Sequence, residues 1–333
     1  MNKKNLLPKS RLGIASLLVM AGVAAAYAPA ASAAASFPDG QPITLVVPYP
    51  PGGSNDSFAR AVGAKLGTLL DTSVVIVNKG GAGGSIGAAQ VARAKPDGYT
   101  LVAVSSSFTT NAAIQTNLPF DAAKDFKAVA LMAQGPFIVA VKEGLPVKSM
   151  ADLIALAKKQ PGVINYSSSG PGSSNQFATE MLNSAAKIKM THVPYRGMGP
   201  ATAAIMGNQV DVLVASGPSL LPAINTGKVR PIAITSLKPS PVAPDLKPVA
   251  NDVPGYDFSL WWGILAPAGT PDPIVNKLNK AIQEVVSTKE MKEFFVREGA
   301  ENASATPAQY QKIIVDDIAR WKKVAAQSNI TVQ

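Results

Sequence analysis

Short, wholly apolar runs alternate along this chain with longer segments in which apolar residues recur every three or four positions. The first pattern predicts buried strands at 43–47, 73–77, 99–104, 138–141, 163–166, 189–193, 210–214, 229–235 and 260–265. The second predicts helices at 54–70, 84–94, 150–159 and 173–186, near 200–206 and 218–225, and at 272–287, 289–298 and 306–328. Ser149 stands where an N-cap is needed for the third of these. Strands apolar on both faces and separated by helices belong to parallel sheets covered by helices on both sides. They are too many for one comfortable sheet, so the chain reads as α/β, two doubly wound domains with a ligand cleft between them. The crossings fall near Gly135 and Tyr256, giving domain 1 as 36–136 plus 257–333 and domain 2 as 137–256. No internal repeat suggests a solenoid.

The N-terminus breaks this rhythm. Lys3, Lys4, Lys9 and Arg11 precede an apolar run from Leu12 to Ala26, and Ala31 and Ala33 then satisfy a small-x-small rule. That is a secretory signal peptide, residues 1–33, cut near Ala33. The run is shorter than the roughly 20 apolar residues of a membrane span. A soluble periplasmic product follows. With no cysteine in the chain there is neither a lipid-anchor thiol nor a disulfide. Cleavage removes four of the 31 basic residues and none of the 21 acids, leaving 27 against 21, or +6. No Lys/Arg stripe is interleaved with aromatics, which excludes a nucleic-acid partner.

Small and polar residues cluster in the loops that follow strands, where open α/β sheets bind ligands. Tyr49, Pro51, Gly52, Gly53 and Ser54 follow the first strand; Ser106 and Ser107 follow the third. Ser169, Ser173 and Ser174 follow a strand of the middle domain, and Tyr195 and Gly197 the next. Most of these loops open a helix, with Ser54 or Asn55 and Ser173 as expected N-caps and Pro200 as an expected first helical residue. Helix starts offer unpaired N–H groups and the positive end of the dipole, so several facing one cleft would hold a carboxylate without a buried Arg or Lys.

Other chemistries fit poorly. Gly80–Gly87 lacks both the Gly-x-Gly-x-x-Gly spacing and the Lys-Ser/Thr ending of phosphate loops; close backbone packing, or a wall of the cleft, suits it better. Gly83-Gly84-Ser85-Ile86-Gly87 matches a nucleophile elbow, which makes a secreted hydrolase using Ser85 the enzymatic alternative. Its base would have to be His192, the one histidine, in the other domain. The scattered aspartates have no metal-ligand spacing, and no cofactor motif is present. Asp56 reads first as helix-dipole compensation paired with Arg60 four residues on, with ordering of the glycine loop as the alternative. Asp211, an acid inside an apolar run, must be hydrogen-bonded or face the cleft, and is expected at the cleft. Of Trp261 and Trp262, neighbours on one strand, at most one should line it.

The signature Pro51-Gly52-Gly53-Ser54-Asn55-Asp56-Ser57-Phe58-Ala59-Arg60 resembles that of the tripartite tricarboxylate transporter receptors, the Bug-type periplasmic solute-binding proteins. Similar hallmarks are Pro96-Asp97-Gly98-Tyr99-Thr100-Leu101, Tyr166-Ser167-Ser168, Val193-Pro194-Tyr195-Arg196-Gly197 and Ala266-Pro267-Ala268-Gly269-Thr270-Pro271. The resemblance implies a monomeric Venus-flytrap protein of two α/β domains. Its ligand would be a small organic acid: a dicarboxylate, tricarboxylate, acidic amino acid or aromatic carboxylate. It also implies delivery to inner-membrane permease subunits; a receptor feeding a signalling kinase is the alternative use of the same fold. By family position, 49–56, Ser106–Ser107, Ser169–Ser174 and Tyr195–Gly197 would contact ligand. The chain departs from the pattern at Gln176-Phe177-Ala178, where many relatives have His-Leu-Ala, and at Phe108-Thr109-Thr110, so no particular acid carries over.

Overall fold

The computed structural model describes Phe37–Ser328 and Ile330. The signal-peptide expectation lies outside the described residues. The chain divides into two units at Asp39/Gly40, and the second holds every element below.

One sheet contains β1 (Ile43–Val47), β2 (Val74–Asn78), β3 (Thr100–Ser105), β4 (Phe126–Pro136), β10 (Ser259–Pro267) and β11 (Glu301–Asn302), in the order β11-β4-β10-β3-β1-β2. The other contains β5 (Ile138–Lys142), β6 (Asn165–Ser168), β7 (Thr191–Pro194), β8 (Val212–Ala215) and β9 (Val229–Ile234), in the order β7-β6-β8-β5-β9. The connecting helices are α1 (Ser54–Leu70), α2 (Ser85–Ala92), α3 (Ser107–Ile114), α4 (Met150–Lys159), α5 (Ser174–Ala186), α6 (Met198–Met206), α7 (Gly217–Asn225), α8 (Asp272–Ser287), α9 (Lys289–Arg297) and α10 (Pro307–Ser328). Among the described residues no helix is long and apolar enough to cross a membrane.

The sheets are mixed, which corrects the all-parallel expectation. Strand β1 is parallel to β2 and β3, and β6 is parallel to β7 and β8. However, β10 runs antiparallel to β3 and β4, and β5 antiparallel to β8 and β9. An apolar run does not say which way a strand runs, nor that both its faces are covered: Val75 and Val77 of the edge strand β2 are exposed. Three elements were not predicted, among them the two-residue β11. Strand β4, Phe-Lys-Ala-Val-Ala-Leu-Met-Ala-Gln-Gly-Pro, is rich in helix formers and is held as a strand by β10 on one side and β11 on the other. Helix α3 is short and carries two threonines.

The predicted helices form because each has an apolar stripe with a sheet or helix to cover it. In α1 the buried face is Phe58, Ala59, Val62, Gly63, Leu66 and Gly67. A Cβ at Gly63 would lie 3.1 Å from the Val74 and Ile76 side chains, so the glycine lets α1 lie flush on β2. In α10 Tyr310, Ile314, Trp321 and Ala325 are buried at helical spacing. Ser149 caps α4 as expected, accepting from the Asp152 amide at 3.2 Å.

The chain leaves the first sheet after Pro136, enters the second at Ile138, and returns between Ile234 and Ser259. These two passages are tied together. The Phe137 amide donates to Thr235 Oγ1 at 2.7 Å, and the Thr235 hydroxyl reaches the Phe258 carbonyl at 2.7 Å. The rings of Phe137 and Phe258 stack with centroids 5.5 Å apart. Thr235 is fully buried, so these bonds form without competition from water. Trp321 of α10 packs against Phe258 and against Phe177 of α5, laying the C-terminal helix across both halves.

Candidate functional site

Helices α1, α3, α5, α6 and α7 all start at the carboxyl ends of strands, and the starts from the two halves meet. The Ser107 and Ser174 hydroxyls, at the first residues of α3 and α5, lie 3.0 Å apart. A Cβ at Gly172 would fall 2.7 Å from Asn111 Oδ1 and 2.8 Å from Ile114 Cδ1, so the loop before α5 touches α3 through a glycine backbone. At one end of this seam Gly217 meets Gly299 so closely that a Cβ on Gly217 would lie 2.6 Å from Gly299 Cα. There too Ser240 Oγ donates to Glu301 Oε1 at 2.7 Å.

On the first half, Tyr49 lies just after β1 with its hydroxyl hydrogen-bonded to Ser105 and Ser107; burial pushes the phenol up to about 12, and those bonds only partly offset it. Pro51, Gly52 and Gly53 are exposed. Asp56 organises this loop. Its carboxylate accepts from the Gly52 amide at 3.0 Å and from Asn78 Nδ2 at 2.8 Å, and pairs with Arg60 at 3.0 Å. Burial alone would raise the Asp56 carboxyl, but the bonds from Arg60, Gly52 and Asn78 together outweigh it and hold the carboxyl below the usual range. The expected Arg60 pair is therefore present, and the acid orders the glycine loop as well. Neither Ser54 nor Asn55 caps α1; Gly53 is the N-cap. Ser54 Oγ instead accepts from Trp262 Nε1 at 3.2 Å, and Asn55 Nδ2 donates to Ser105 Oγ at 3.3 Å. Both tryptophans are buried on opposite faces: Trp262 against Phe58, Trp261 against Tyr310 with its Nε1 donating to Asp317 at 2.7 Å.

On the second half, Ser169 Oγ donates to Asn175 Oδ1 at 2.9 Å. Ser173 holds the N-cap position of α5 but makes no cap bond; its hydroxyl donates to the Gly170 carbonyl at 2.5 Å and closes the loop on itself. The Tyr195 and Gly197 amides donate to the Ser168 and Ser169 carbonyls, joining the two loops. Gly197, at φ +112, is the N-cap of α6, so Pro200 is the third helical residue and not the first. Tyr195 packs its ring on the core of this half beside Val193 and Met198.

Asp211 is not in this group, which corrects the expectation that it faces the cleft. It precedes β8, at the opposite end of the sheet from Ser168 and Ala215. Its Oδ1 pairs with Lys142 Nζ at 2.7 Å and its Oδ2 accepts from the Asn165 amide at 2.9 Å. The hydrogen bonding demanded of a buried acid is met by the scaffold.

Three buried groups of the site loops lack a hydrogen-bond partner among the described residues: the acceptor Asn55 Oδ1 and two groups that can donate. Ser106 Oγ and Asn175 Nδ2 are both unpaired, in residues 0% and 2% exposed. Leaving such groups unmet costs about 1–3 kcal/mol each, so the place suits a ligand that supplies acceptors. Asn175 was not singled out in the sequence, although Ser-Ser-Asn at a helix start was its signal. The described residues contain no group of three or more His, Asp or Glu that could hold a metal. Ser85 opens α2 against a small cavity of about 10 Å³ lined also by Tyr49, Phe108 and Asn111. His192 is bonded to Ser168, not to Ser85.

The description "Tripartite tricarboxylate transporter family receptor" belongs to a family model that matches residues 58–330. Protein BugT of Bordetella pertussis is 32% identical over 316 residues, covering 94% of this chain and 97% of BugT. The Rhodopseudomonas palustris protein Rpa4515, solved with adipate, superposes with a TM-score of 0.82 at 33% identity, over 87% of this chain and 97% of that one. MatC from the same organism, solved with bound malate, gives 0.76 at 31% identity, over 85% and 98%. The chain has the two-domain Venus-flytrap fold of periplasmic binding proteins and belongs to the tripartite tricarboxylate transporter receptor family.

Proposed function

We propose that this protein is a periplasmic receptor that captures a small organic carboxylate between its two halves and delivers it to an inner-membrane permease of the tripartite tricarboxylate type, acting as a monomer and without catalysis. The observation that carries the reading is the meeting of the α3 and α5 N-termini from opposite halves, with hydroxyls 3.0 Å apart and the buried Ser106 Oγ and Asn175 Nδ2 unpaired beside them. Helix N-termini and neutral donors suit a carboxylate, which carries acceptors only. Adipate and malate, held by the two relatives, are the first candidates for this chain; other dicarboxylates, tricarboxylates, acidic amino acids and aromatic carboxylates follow.

The contact residues on this reading are Tyr49, Pro51, Gly52, Gly53 and Ser54, Ser106 and Ser107, Ser169, Ser173 and Ser174, with Tyr195 and Gly197. The moving bodies are 36–136 plus 257–333 and 137–256, with the paired passages at Phe137 and Thr235–Phe258 as the hinge. That division is supported by the membership of the two sheets. Ligand bridging both halves stabilises the closed form by as much as it prefers that form over the open one.

A thermal-shift screen of organic acids, sugars and divalent cations on protein lacking residues 1–33 tests the reading. An acid present at 100 times its Kd should stabilise the fold by about 2.7 kcal/mol. A response confined to sugars or cations contradicts the proposal.

A further inference from the structure

His192, the only histidine in the chain, lies at the centre of a hydrogen-bond relay that ends on the serine loop before α5. The relay has a direction. The Gly172 amide donates to Gln176 Oε1 at 2.8 Å. This fixes the amide of Gln176, whose Nε2 then faces His192 Nδ1 at 3.3 Å. An NH2 group only donates, so Nδ1 accepts, and a neutral imidazole with an accepting Nδ1 carries its proton on Nε2. That Nε2–H points at Ser168 Oγ, 2.6 Å away. Ser168 Oγ also accepts from the Gly170 amide at 3.1 Å and sends its own proton to the Gly170 carbonyl at 3.3 Å. From the Gly172 amide through Gln176 and His192 to Ser168 the bonds run in one direction, Ser168 Oγ and the Gly170 carbonyl each take a further bond within the loop, and both ends of the relay lie on the same short loop.

We infer that His192 is a positioning residue for ligand capture: held by Gln176 as the neutral Nε2–H tautomer, it anchors Ser168 and sets the course of the 168–173 loop that presents the start of α5 to the cleft. The surroundings agree. The Tyr166 ring stacks on the imidazole with centroids 4.9 Å apart, and the Tyr166 hydroxyl donates to Glu180. Burial lowers the imidazole to about 4, so at neutral pH it is uncharged. Reversing the Gln176 amide to accept from a protonated Nδ1 would set its NH2 against the Gly172 amide, donor to donor. The relay therefore admits one protonation state. It also means that His192 donates to Ser168 and does not withdraw its proton, so this Ser–His pair is no nucleophile.

The inference rests on the carboxylate-receptor reading for its effect on binding, but not for the tautomer, and the test separates the two. With a single histidine, ring nitrogen NMR of the 15N-labelled protein lacking residues 1–33 reports one imidazole. A pyridine-like Nδ1 with a protonated Nε2 at neutral pH is expected; the Nδ1–H tautomer or an imidazolium overturns the proposal whatever the protein binds. Gln176→Ala should mix the tautomers and weaken adipate or malate binding about tenfold, the loss of one buried hydrogen bond converted to affinity. Gln176→Glu supplies a carboxyl that can accept from the Gly172 amide and still bond Nδ1, so it should bind closer to wild type than Gln176→Ala does. Wild-type affinity in Gln176→Ala overturns the positioning role. If the tautomer is found as expected while no acid binds the wild type, the receptor reading fails, and with it the effect on capture.

Discussion

The closest approach between the halves gives the sharpest prediction. Gly217 is the first residue of α7, and a methyl added there would sit 2.6 Å from Gly299 Cα and 3.3 Å from the Glu298 carbonyl and the Gly299 amide nitrogen. Carbon atoms in contact stand about 3.5–4.0 Å apart, so Gly217→Ala forces the surfaces roughly 1 Å apart. Backbone cannot swing away as a flexible side chain would. Gly217 does not have a positive φ, so alanine strains nothing within α7 itself. Overpacking of this kind costs about 1–3 kcal/mol, and on the domain-closure mechanism proposed above it falls on the closed arrangement alone. Each 1.4 kcal/mol of that cost weakens ligand binding about tenfold, so the variant should bind acids roughly 5- to 140-fold more weakly. Calorimetry gives the affinity, and the melting temperature without ligand should stay within a few degrees of wild type. Gly144→Ala, where the new methyl meets nothing within 4 Å, is the control and should bind normally. Wild-type affinity in Gly217→Ala would refute the reasoning, because closure would then not bring these two glycines together.

Three further outcomes follow from the charged groups. Asp56 is held below the usual carboxylate range, so its contribution is present above the unfolded value of about 3.9 and is lost as pH falls through the lower native one; Asp56→Asn should flatten acid unfolding below about pH 4 and loosen the Gly52 loop. Asp211→Ala should cost about 1–3 kcal/mol in denaturant unfolding by leaving Lys142 and the Asn165 amide unpaired, yet leave acid affinity unchanged; an affinity loss greater than fivefold would return Asp211 to the cleft. Asp317 is half-buried, and desolvation raises its carboxyl despite the Trp261 bond. A native value above the unfolded one means that ionisation disfavours the fold as pH rises, so Asp317→Asn, which keeps an acceptor for Trp261, should melt no lower than wild type at pH 7.

How much of this was readable from the chain depends on the range of the interaction. Helix α1 is legible because Phe58, Val62 and Leu66 recur within the helix itself, and Ser149 caps α4 within four residues. The glycine and serine loops were legible because turn chemistry is local. Strand β4 was not, since its alanines, leucine, methionine and glutamine favour helix and only pairing with β10 and β11 overrides them. The placement of Asp211 failed for the same reason: the acid in an apolar run was visible, but its partner Lys142 comes from a distant strand brought alongside by antiparallel pairing. Gln176 could be seen as a departure from the family pattern, but its role as a link between Gly172 and His192 needs β7 laid beside β6. Asn175 shows its use only once the neighbouring donors are paired and its own Nδ2 is left over.

The central claim is that a carboxylate is held where the α3 and α5 helix starts meet. A crystal structure of the protein without residues 1–33, bound to whichever acid most raises its melting temperature, tests that claim most directly. The account predicts a carboxylate within hydrogen-bond distance of Ser107, Ser174 and Asn175 Nδ2, with Asp211 still paired to Lys142 at the far end of the sheet. An acid seated elsewhere, such as the groove of about 590 Å³ beside Gly63, Gly67 and Asp71, would contradict it.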